Sequence, residues 1–118
     1  MRADRSTISL HEFWDGLVLG SSRFQTVRNT TTALRLRPAH AREQLAELAH
    51  PQFAQWEQES FLLAQEHAYL NGTLSGSPDE KNGAVLPADY AQTVKPIGER
   101  RIILAGYRLA DVLRQLFE

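Results

Sequence analysis

The chain has 118 residues, room for one domain and one modest core. Hydrophobic residues make up 42% and charged residues 23%, the balance of a folded chain rather than a disordered one. Thirteen basic and fourteen acidic side chains leave a formal charge of -1, and Cys is absent. The absence of Cys excludes disulfide scaffolds, thiolate zinc sites and thiol nucleophiles. The charge balance gives no indication of a general electrostatic grip on nucleic acid, so any such contact would come from a local site. The longest apolar stretch, Ile102 to Tyr107, is far short of a membrane span. The opening MRADRSTIS has charges but no apolar core, so no signal peptide is expected.

Apolar spacing is helical nearly everywhere, which predicts an all-α domain of about five helices over residues 1–118. Leu10, Phe13, Trp14, Leu17 and Val18 recur at three- and four-residue intervals, the face of a first helix that should end near Gly20. Ser21 and Ser22 can cap a second helix running to about Leu36. Ala39 to Ala49, rich in Ala, Glu, Gln and Leu, reads as a third, with Leu45 and Leu48 inward. Pro51 can open a fourth that continues to Ala68, with Phe53, Trp56, Ser60, Ala64 and His67 on one stripe.

Residues 71–87, rich in Gly, Ser and Pro, read as a long loop. The last helix should run from Ala88 to Leu116, central to the fold and kinked or divided at Pro96. Gly106 in its interior implies a close helix–helix approach. Trp56, Leu104, Gly106 and Leu113 are expected to be buried together.

Leu10-His11-Glu12-Phe13-Trp14-Asp15 is the stretch with chemistry in it. On a helix, His11 and Asp15 are i and i+4, so imidazole and carboxylate leave the same face one turn apart. That pair suits two ligands of one Zn²⁺, although a surface ion pair is the commoner origin of such spacing. Glu12 points off that face and reads as solvated.

Further segments join this one. LHEFWD resembles the final zinc-ligand motif of the S-one/P-one nuclease family, approximately Asn-Leu-His-x-x-Trp-Asp. Trp56-Glu57-Gln58-Glu59-Ser60 resembles the family's Trp-Ala-x-Glu-Ser segment, and Leu86 to Tyr90 the opening of its last long helix. Ile103 to Ala110, followed by Leu113, resembles its carboxy-terminal Ala-Gly-x-Arg-Leu-Ala-x-x-Leu signature. These matches span most of the chain in the family's order.

The resemblance implies a helical zinc phosphodiesterase fold, shared with bacterial zinc phospholipases C. Such enzymes carry three zinc ions, cleave single-stranded DNA and RNA, and remove 3′-phosphates from nucleotides. His11 and Asp15 match two ligands of one ion, and Ser9 stands where the family has Asn. Complete members also use an N-terminal Trp and upstream His and Asp residues, whereas only Asp4 precedes Leu10 here. The chain therefore reads as a truncated domain with a partial metal site. The rival readings are a non-catalytic helical remnant, a piece complemented by an upstream polypeptide or by self-association, and a phospholipase C-like enzyme. The Gly-Tyr-Arg-Leu-Ala run favours the nuclease branch over the last. Complete members are typically secreted or periplasmic.

The other histidines have plainer readings. His40 should be exposed at a helix start, His50 should lie in a turn, and His67 should be a partly buried, hydrogen-bonded residue. Glu59 reads as a buried carboxylate satisfied by Arg108 or Arg101. Phe13, Leu17 or neighbouring apolar residues, bared by the missing upstream half, are expected to be unusually exposed, and the chain to aggregate or dimerise.

Overall fold

Helical spacing becomes helical structure in the computed structural model, which describes residues 8–74 and 83–118. Four α-helices form among the described residues: α1 (Leu10–Asp15), α2 (Phe24–Arg35), α3 (Phe53–Leu63) and α4 (Tyr90–Phe117). No strand occurs among the described residues, so the fold is all-α. Part of the expected loop 71–87, residues 75–82, lies outside the described residues.

Helix α4 is the spine. Its Ile103 and Leu104 meet Leu34 of α2 and Leu45 to form the core, with Val18, Leu48 and Tyr107 packed around it. Pro96 neither divides the helix nor ends it. Its missing N–H deprives only the Gln92 carbonyl, and both residues are exposed, so water can replace the lost bond.

The helix expected over Ala39–Ala49 is instead three 3-10 turns, Pro38–His40, Arg42–Gln44 and Ala46–Ala49. Local propensity loses here to side chains from α4. Arg100 Nη2 donates to the Gln44 carbonyl at 3.2 Å, and Arg108 Nη2 to the Glu47 carbonyl at 2.9 Å. Arg100 also forks onto the Glu47 carboxylate at 2.9 and 2.7 Å, and Arg42 onto Asp111 at 3.0 and 2.9 Å. Fork-to-fork pairs of this kind fix orientation as well as adding energy. His40, expected in solvent, is buried, and its Nδ1 donates to the Leu34 carbonyl at 2.7 Å. That bond holds the first turn against the end of α2.

Two further expectations are corrected. Leu104 is fully buried, but Trp56 is half-buried and both Gly106 and Leu113 are exposed. The inward face of α4 runs through 103, 104, 107 and 108, because the buried Arg108 is drawn inward by α3. The glycine that admits a neighbour is Gly98. A Cβ there would stand 3.2 Å from the side chains of Leu17 and Val18, whereas one on Gly106 would meet nothing within 4 Å. Leu17 and Val18 turn inward to reach Gly98, so α1 stops at Asp15 and not near Gly20. Phe13 and Leu17 are accordingly half-buried, while their apolar neighbour Ile8 is exposed.

Candidate metal centre

Helix α1 is short, and its start is defined by a reciprocal cap. Glu12 N–H donates to Ser9 Oγ at 3.1 Å, while Ser9 N–H donates to Glu12 Oε2 at 2.9 Å. Glu12 is thereby engaged at the helix start, and Ser9 acts as a cap. Gly16 closes the other end by donating to the Glu12 carbonyl at 3.1 Å.

The inner face of α1 is held by a residue that spacing alone did not single out. Trp14 Nε1 donates to Tyr90 Oη at 3.0 Å, and Tyr90 Oη donates to the Ala68 carbonyl at 2.8 Å. The Phe13 ring lies against Tyr90 at 5.4 Å and the Trp14 ring meets it edge-on at 6.5 Å. Burial raises the Tyr90 phenol above its usual range, so it stays a neutral donor and acceptor. The only signal in the sequence was an aromatic residue at the opening of a long helix. Tyr90→Phe is expected to cost about 1–3 kcal/mol, because the half-buried Trp14 and the buried Ala68 carbonyl both lose their bond. A urea melt followed by Trp fluorescence will read the loss.

The outer face of α1 carries His11 and Asp15. His11 Nε2 and Asp15 Oδ2 stand 3.1 Å apart, with side chains 85% and 70% exposed. Two ligands at about 2.0–2.2 Å from a tetrahedral zinc ion lie a little over 3 Å apart, so this imidazole–carboxylate pair fits two of its positions. It does not fit a closed site. Among the described residues no group of three or more His, Asp or Glu side chains is placed to hold an ion. Asp4 lies outside them.

A second charged cluster lies at α3. Glu59 accepts from Arg108 Nη1 and Nη2, both at 2.8 Å, from Arg101 Nη1 at 3.0 Å, and from His50 Nδ1 at 3.1 Å. The Arg108 guanidinium, whose side chain is only 7% exposed, also lies 4.9 Å over the Trp56 ring. Trp56 Nε1 in turn donates to the His50 carbonyl at 2.6 Å. Arg108 above all, helped by His50 and Arg101, holds the Glu59 carboxyl down at about 2, against the opposing effect of its burial. A carboxylate so deeply ionised, with its lone pairs occupied, is a poor general base. The cluster is structural, as the sequence suggested. His67 is half-buried, 3.7 Å from Glu66.

A family model described as S1/P1 nuclease matches residues 1–118. The chain belongs to the S1/P1 nuclease family. That membership supports a nuclease-type function in general, in a family that is zinc-dependent; among the described residues a metal site is at most partial. No curated protein and no solved structure gave a match. No helix among the described residues is long and apolar enough to cross a membrane.

Proposed function

We infer that this S1/P1-type chain contributes to a zinc-dependent phosphodiesterase acting on single-stranded DNA or RNA, with removal of 3′-phosphates from nucleotides as a second activity. Family membership carries the reading, and the open His11–Asp15 pair supports it. His11 would bind through Nε2 and Asp15 through Oδ2. The remaining donors come from outside the described residues. Zinc held by His11 and Asp15 together with further donors would supply phosphoryl polarisation and acidification of a water molecule. The chain's own residues present the two donors on an unobstructed face. Trp14 and Tyr90 hold α1 against α4, and the cap of Ser9 and Glu12 keeps the helical turn that sets His11 beside Asp15. The two-donor count favours a second reading for the chain acting alone, a non-catalytic or complementing piece.

Calorimetric titration with Zn²⁺ tests the ligand assignment. Binding should be weak, as a two-donor site requires, and His11→Ala or Asp15→Ala should reduce it at least tenfold with the thermal melt nearly unchanged. Tight binding that survives His11→Ala would refute the assignment.

A further inference from the structure

Fourteen large apolar side chains are substantially exposed among the described residues, against seven apolar residues in the core. Five of the fourteen are grouped on one helix. Ile102, Leu109, Leu113, Leu116 and Phe117 all stand on the outer side of α4. With Gly106 they follow a 4-3-4-3 spacing, 102, 106, 109, 113 and 116, which is the repeat of a coiled-coil seam. Ala105 and Ala110 flank the seam, so the face carries no charge along four helical turns. The neighbouring Arg101 and Arg108 direct their guanidiniums away from it, toward Glu59. A groove of about 380 Å³ beside the seam, lined by Phe53, Trp56, Ala105, Leu109 and Val112 together with Arg101 and Arg108, adjoins the apolar surface.

We propose that this face of α4 is an interface between two copies of the chain, paired antiparallel about a two-fold axis near residues 107–108. The side chains themselves indicate the occupant and its direction. In an antiparallel pairing, Gly106 faces Leu109 of the second copy, Leu109 faces its Gly106, and Ile102 faces its Leu113. Each central layer then sets a small residue against a large one, which is how facing helices fill space. A parallel pairing would set Gly106 against Gly106 and leave a void in mid-seam. The same complementarity explains an interior glycine that nothing in its own chain approaches. The exposed seam together with the Phe53 ring offers on the order of 800 Å² per chain, the share one partner gives to a standard stable interface.

Sedimentation equilibrium on the full chain tests the pairing. A dimer is expected, and Leu109→Glu should weaken association at least a hundredfold. Leu109 is 59% exposed, so far-UV circular dichroism should be unchanged; Leu113→Glu repeats the test at a second seam position. Because the chain has no Cys, direction can be read by cross-linking. With oxidised glutathione as oxidant, Gly106→Cys mixed with Leu109→Cys should form a disulfide-linked pair, and Ile102→Cys alone should not. A chain that stays monomeric at high micromolar concentration would overturn the proposal. So would an assembly indifferent to both Glu variants, or one in which Ile102→Cys cross-links to itself.

Discussion

Single-stranded DNA incubated with the 118-residue chain and excess Zn²⁺ is expected to be cleaved many orders of magnitude more slowly than by a complete S1/P1 nuclease. The reason is stoichiometric. A catalytic zinc takes about three protein ligands and a water, and α1 offers two donors to one ion. Without the full set, neither the activated water nor the charge that stabilises the transition state is assembled. Mixing the chain with an upstream fragment of a complete homologue should restore cleavage, and His11→Ala and Asp15→Ala should each abolish the restored activity. Robust cleavage by the chain alone, lost on His11→Ala, would show instead that it recruits its remaining donors without help. Comparison of initial rates on a labelled oligonucleotide separates the two outcomes.

Glu59 should dominate the acid stability of the fold. Its carboxyl ionises at about 2 in the folded chain against an ordinary 4.5, chiefly because Arg108 donates to it. The contribution is therefore complete above pH ~4.5 and lost as pH falls through that value toward 2, and amounts to about 3 kcal/mol. Glu59→Gln leaves Arg108 buried beside a neutral amide, an arrangement that costs about 3–5 kcal/mol when one partner of a buried pair is removed. The variant should melt at much lower urea concentration at pH 7. Between pH 5 and 2.5 its midpoint should fall less steeply than the parent's. Some slope should remain, since Arg100 holds the Glu47 carboxyl below its ordinary range and Arg42 does the same to Asp111. Equal acid slopes in parent and variant would show that Glu59 is not the titrating group.

Much of this molecule follows from local pattern. The 3.6-residue spacing determined the helical class, the apolar inner face of α1 and the outward pairing of His11 with Asp15, because side-chain direction on a helix is set by backbone geometry alone. The Glu59–arginine cluster was legible for a related reason: a carboxylate amid apolar helix residues needs cationic partners wherever the chain provides them. Tertiary structure decided the rest. Whether Ala39–Ala49 coils as an α-helix depends on Arg100 and Arg108, which lie more than fifty residues away and take up its carbonyls. The rotation of α4 about its axis, and with it the burial of Leu104 and the exposure of Gly106 and Leu113, depends on the ion pair that draws Arg108 inward. Spacing shows that a helix has an apolar stripe, but two stripes side by side on α4 offer two solutions, and contacts with α2 and α3 select one. The same contacts make Gly98 the close approach and Tyr90 the anchor of α1, since both roles exist only once distant segments meet.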